Sequence, residues 1–154
     1  MMDDGLRDLY QEVILDHGRH PRHFGKLADA NREALGRNPL CGDELHLYLK
    51  LDKDDRIADV RFEGKGCAIS VASASMMTEL VKGKPVAEAK ALMDAFVHLA
   101  RGEALNGAAI TEEELERLKI MSGVSQFPMR VKCATLAWHT LASAVEDSGP
   151  VSTE

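Results

Sequence analysis

A single α+β domain is the fold class this sequence predicts: a small three-stranded antiparallel sheet with about five to six helices packed on it. Three observations carry that expectation. Leucines alternate strictly at 45, 47, 49 and 51, which is a strand with one face on a core. Elsewhere apolar residues recur at three- and four-residue steps, the period of an amphipathic helix. A length of 154 residues suits one hydrophobic core better than two.

Taken in order, the first helix is written by Leu6, Leu9, Tyr10, Val13, Ile14 and His17, and Gly18 and Pro21 end it. Residues 20–37 read as a polar loop carrying Gly25 and Gly36. The leucine strand follows over 44–51. Asp52-Lys53-Asp54-Asp55 then supplies a turn into a second strand with Ile57, Val60 and Phe62, so the pair is a hairpin. Its alternation slips between Ile57 and Val60, the signature of a β-bulge. A short third strand is expected over 67–69.

The remainder is helical. Ser70 or Ser73 can cap a helix that runs to Lys82, with Gly83 just past its end. Pro85 suits the first turn of the next, through Leu92, Phe96 and Leu99 to a stop at Gly102. Thr111 with Glu114 three residues on is a capping-box pattern ahead of Leu115, Leu118 and Ile120. Pro128 opens a long helix with Ala134, Ala137, Trp138, Leu141 and Val145 at apolar positions. The domain is expected to span residues 1–147. Residues 148–154, polar and containing Gly149 and Pro150, are expected to be a disordered tail.

Nineteen basic against twenty-five acidic residues give a net charge of −6. That balance argues against a nucleic-acid groove, which needs clustered positive charge, and against a polybasic membrane segment. No run approaches the ~18 apolar residues of a spanning helix. Residues 1–8 carry acids where a secretory leader would be basic and then apolar. The expectation is a cytoplasmic protein with neither nucleic acid nor membrane as a partner.

The cysteines are Cys41, Cys67 and Cys133, an odd number that does not build a disulfide framework in a reducing compartment. Free thiols that pack as small hydrophobes are one reading. Their positions argue for another, because each stands at an element boundary. Cys41 follows Asn38-Pro39-Leu40 and precedes Gly42-Asp43; Cys67 follows Gly64-Lys65-Gly66; Cys133 lies just inside the last helix, after Phe127-Pro128-Met129-Arg130. Element ends on a rigid scaffold are where binding groups concentrate. Asp43, two residues past Cys41, adds a carboxylate, although taken alone its commoner role is in a turn. Three thiolates and one carboxylate match the four ligands of a tetrahedral zinc site. Such a centre carries about −2 and should gather cations, and Lys65, Arg130 and Lys132 all flank the candidates.

These segments resemble the U-type family of iron–sulfur assembly proteins, most closely its SufU branch of zinc-dependent sulfurtransferases. The matching stretches are residues 38–43, 64–78 (Gly-Lys-Gly-Cys-Ala-Ile-Ser-Val-Ala-Ser-Ala-Ser-Met-Met-Thr) and 127–141. The first helix, with Leu9-Tyr10, Val13-Ile14, Asp16-His17 and Pro21-Arg22, is similar too. Lys132 stands where the scaffold branch has histidine. The long helical interval over 84–120 and the absence of a proline-rich chaperone-docking stretch point the same way.

The resemblance implies a SufU/IscU-like domain with zinc held by Cys41, Asp43, Cys67 and Cys133. It implies that Cys41 accepts a persulfide from a SufS-type cysteine desulfurase, a pyridoxal-phosphate enzyme whose own histidine displaces Cys41 from the zinc. The sulfur then passes to a downstream iron–sulfur scaffold complex. Arg130 is the second catalytic candidate, expected from its place in the sequence to steer or stabilise the anionic sulfur. The alternative function is a scaffold on which the same cysteines build a 2Fe-2S cluster or hold iron, since thiolate sites accept either. A purely structural zinc site is a third. His17, on the apolar face of the first helix, is expected to be a hydrogen-bonded core or interface residue. His139 falls on a different helical face from Cys133.

Overall fold

Helix α1 (Asp4–Arg19) leads into strands β1 (Arg32–Asn38), β2 (Asp43–Leu51) and β3 (Ile57–Lys65). Helices α2 (Ala68–Val81), α3 (Val86–Ala100) and α4 (Glu112–Lys119) follow. A 3-10 turn (Ser122–Gln126), helix α5 (Pro128–Glu146) and strand β4 (Val151–Ser152) complete the order. The structure is a computed structural model and describes residues 4–103, 105, 110–147 and 149–153. No helix among the described residues is long and apolar enough to cross a membrane.

Among the described residues the sheet has four strands in the order β3-β2-β1-β4, not three. Pairing is antiparallel between β1 and β2 and between β2 and β3, and parallel between β1 and β4. The alternating leucines behave as the period requires. Leu45, Leu47 and Leu49 are buried, and Leu47 and Leu49 pair with Phe62 and Val60 on β3. The bulge sits where the alternation slips: Lys50 faces Asp59 and Leu51 faces Ile57, which leaves Ala58 between them without a partner. Asp52 closes the hairpin turn by accepting from the Asp54 and Arg56 amides at 2.9 and 3.0 Å.

Two strand expectations need correction. The first strand of the sheet lies in the stretch read as a polar loop. Its inward positions are Ala34, Gly36 and Asn38, too small or too polar to register as an apolar alternation. A Cβ at Gly36 would lie 2.1 Å from Thr140 Oγ1 and 3.1 Å from Leu136 Cδ1, so α5 lies directly on this backbone. The expected strand over 67–69 is instead the start of α2, with Cys67 as its N-cap in extended conformation. The expected disordered tail contributes β4 over its described part. Val151 and Ser152 pair with Gly36 and Arg37, and the Thr153 amide donates to the Arg37 carbonyl at 3.0 Å. The open edge of β1 orders it; Ser148 and Glu154 lie outside the described residues.

The helices pack α2 and α5 onto the sheet and α1 onto α2. Met77, Leu92, Leu136, Trp138 and Leu141 meet Leu47, Leu49 and Phe62 in one core. Pro128 occupies the first turn of α5, and the capping box of α4 is complete: Glu114 N donates to Thr111 Oγ1 at 3.1 Å, and Thr111 N to Glu114 Oε1 at 2.9 Å. For the site, the consequence is that three element ends meet: the β1–β2 turn, the N-terminus of α2 and the second turn of α5.

Candidate metal centre

Asn38 and Asp43 are the last register pair of β1 and β2, so the turn between them must reverse over residues 39–42. The Cys41 amide donates to the Asn38 carbonyl at 3.2 Å. Gly42 supplies the left-handed φ of +70°, with nothing within 4 Å of where a Cβ would stand. This turn leaves Cys41 exposed and turns Asp43 inward, where its residue is 1% exposed. Cys133, on α5, is 2% exposed. The candidate ligand atoms of Cys41, Asp43 and Cys133 lie within 4.8 Å of one another.

Cys67 joins the group through the carboxylate. Its amide donates to Asp43 Oδ1 at 2.8 Å, and its Sγ is 3.9 Å from Asp43 Oδ2. Gly66 makes that approach possible: at φ +142°, a Cβ there would sit 2.1 Å from Asp43 Oδ1. Cys41, Asp43 and Cys133 are thus the mutually close set, and Cys67, expected as the fourth ligand, lies outside it and reaches it through its contacts with Asp43. Cys41 is the outermost, and Asp43 and Cys133 are both buried.

The electrostatics follow from this geometry. Burial, then contacts with Asp43, Cys41 and Cys67, push the Cys133 thiol up from its ordinary value. Several potential anions crowded in one half-buried place are unfavourable unless a cation joins them. Three sulfurs and one oxygen fit a soft or borderline divalent ion with tetrahedral preference, which zinc and iron both satisfy.

The basic candidates are outside this inner group. Arg130 is exposed and lies over the Phe127 ring, 4.8 Å from guanidinium carbon to centroid, and makes no ion pair or hydrogen bond with the four candidates. Lys65 pairs with Glu44 at 3.6 Å. Lys132 is half-buried, and its carbonyl accepts from Thr153 Oγ1 at 3.3 Å. His17 is a buried, hydrogen-bonded residue, with Nδ1 2.7 Å from Ser75 Oγ. His139 lines a separate surface cavity with Arg101 and Lys132.

The residue that sequence reasoning left without a role is Asn38. It is fully buried, and its Nδ2 donates to Asp43 Oδ2 and to Cys133 Sγ, both at 3.3 Å. Its place three residues before Cys41 was visible, but the contact with Cys133, 95 residues away, is purely tertiary.

Residues 9–134 match the family described as NifU-like N terminal domain. The chain is 43% identical over 143 residues to the iron-sulfur cluster assembly scaffold protein IscU of Streptococcus pyogenes, covering 93% of this chain and 86% of that protein. It is 41% identical over 140 residues to the zinc-dependent sulfurtransferase SufU of Bacillus subtilis, covering 91% of each. Among solved structures, a putative iron-sulfur cluster assembly scaffold protein for the SUF system from Fervidobacterium islandicum superposes with a TM-score of 0.80. That pair is 37% identical, over 90% of this chain and 98% of the other.

Proposed function

This chain belongs to the NifU-like N-terminal domain family, and from that membership we propose that it is a zinc-dependent sulfurtransferase of iron–sulfur cluster assembly. In this reading it works in the cytoplasm, takes sulfur onto Cys41 from a SufS-type cysteine desulfurase and passes it to a downstream scaffold complex. The observation that carries the reading is the inequality of the four donors. Asp43 and Cys133 are buried and Cys67 is tied by its amide to the carboxylate, whereas Cys41 is exposed on a turn beside a glycine in open space. One donor is thus free to leave while three remain.

Zinc bound to Cys41, Asp43, Cys67 and Cys133 would supply the positive charge that keeps these thiols deprotonated near neutral pH. The chain's own part is nucleophilic. The Cys41 thiolate attacks the terminal sulfur of the desulfurase's cysteine persulfide. The S–S bond of that persulfide breaks, the desulfurase cysteine leaves as thiolate, and the new S–S bond makes a persulfide on Cys41. Leu40, Phe127 and Met129, each about half exposed, flank the ligand segments in sequence and offer apolar surface to a docking partner. Arg130, on the exposed first turn of α5, serves in this reading to attract the anionic sulfur.

Adding the protein with zinc to a cognate desulfurase tests the reading. Faster alanine release and a persulfide trapped on Cys41 are expected, and Cys41→Ala should fold yet accept no sulfur. A second reading, assembly of a 2Fe-2S cluster on the same cysteines, draws on the scaffold names of several relatives. A brown protein with labile sulfide and no zinc would overturn the first reading in favour of the second.

A further inference from the structure

We propose that Asn38 is a positioning residue of this centre, whose buried amide sets the spacing of Asp43 and Cys133 and tunes the site to a cation. The inference rests on the metal-centre reading above and adds a residue to it. Asn38 touches three of the four candidate ligands. Its backbone carbonyl accepts from the Cys41 amide at 3.2 Å, and its Nδ2 reaches Asp43 Oδ2 and Cys133 Sγ at 3.3 Å each. The fourth, Cys67, is linked through the other carboxylate oxygen. One residue at the end of β1 therefore gathers donors from the turn, from β2 and from α5.

The orientation of the amide is informative. Asn38 Oδ1 is buried and has no hydrogen-bond partner among the described residues. An amide placed for its own sake would satisfy both ends. Turned over, it would set its carbonyl oxygen against the Asp43 carboxylate, so the carboxylate dictates the direction and the orphaned oxygen is the consequence. Metal-bound sulfur and carboxylate oxygen are acceptors only, and the N–H groups complement both. Outer groups of this kind hold ligand atoms at their working spacing.

A merely structural asparagine would matter equally with and without the metal. The test is zinc affinity by competition with a chromophoric chelator, beside the thermal midpoint of the metal-free protein, for the wild type, Asn38→Ala and Asn38→Leu. The wild type should bind one zinc. Asn38→Ala should bind it about 10–100-fold more weakly, with a proportionally smaller loss of metal-free stability. Asn38→Leu, matched in branching and without a donor, should be weaker to a similar degree, because nothing then donates to Asp43 Oδ2 or Cys133 Sγ. Variants that bind zinc within about twofold of the wild type overturn the inference while leaving the functional reading intact, since loss of a group that braces a metal ligand costs about tenfold or more. So does a fall in metal-free stability large enough to account for the whole loss of affinity. Should Asn38→Ala not fold, the zinc affinity of Asn38→Leu decides between the same two outcomes. A wild-type protein that binds no zinc sinks the functional reading first, and this inference with it.

Discussion

At the residue scale, Gly66 shows how tightly the backbone is drawn round Asp43. A Cβ there would meet Asp43 Oδ1 at 2.1 Å and Asp43 Cα at 2.8 Å, and the backbone stands at φ +142°. The Oδ1 is held by the Cys67 amide and the Cα is backbone, so neither can yield cheaply. Gly66→Ala is expected to destabilise the metal-free protein by about 1–3 kcal/mol in urea denaturation. It should also lower zinc retention after gel filtration well below one per chain; full retention would show that the carboxylate needs no such close approach. Gly42 is the contrasting case, because its surroundings are open. Gly42→Ala should keep its zinc and lose only the ~1 kcal/mol of a left-handed residue. The cysteines and Asp43 could be picked out from sequence because thiols and carboxylates announce their chemistry. Asn38 could not, since an amide acquires its role only from what it faces.

At the element scale, β1 positions the site through what it lacks. Gly36 lets α5 settle on the strand, with Leu136 and Thr140 against bare backbone, and Cys133 lies on the same helix one turn before Leu136. Gly36→Val is expected to push α5 away and cost about 1–3 kcal/mol by overpacking. The shift should register at the centre as faster alkylation of Cys133 in the metal-free protein; an unchanged rate would separate strand packing from the site. Helix α4 makes the opposite prediction. Thr111→Ala removes its capping box at about 1 kcal/mol and should leave zinc content as in the wild type. Helices with caps and wide apolar stripes were legible in the sequence, as was the hairpin with its bulge. Strand β1 was not, because the helix above it requires small residues where a strand pattern needs large ones. The start of α2 was misplaced because its N-cap is Cys67, which offers no capping side chain, while Ser70 and Ser73, the expected caps, lie inside the helix.

At the scale of the whole molecule, acid should loosen the fold. His17, His23 and His139 are each held below the ordinary 6.5, in every case chiefly by burial. For His17 the Arg22 charge adds to that, while Glu79 works against it. Between the depressed folded value and the unfolded one, the unfolded chain binds more protons, so stability rises with pH across that window. It follows that the stability of the metal-free protein is full above about pH 6.5 and falls as pH drops through the folded values. Urea unfolding in chelator from about pH 8 down to about pH 5 measures this. A flat profile, or a rise on acidification, would contradict it.

What the sequence determined by itself is local and chemical. Periodicity, caps and turn residues specify most elements, and three thiols with one carboxylate specify the kind of ion that suits them. Which strand lies between β2 and β4, how deep each sulfur sits and which amide faces Asp43 and Cys133 depend on tertiary contacts such as the packing of α5 on β1. Those properties belong to contacts between segments as distant along the chain as Gly36 and Val151, and no pattern within one segment records them.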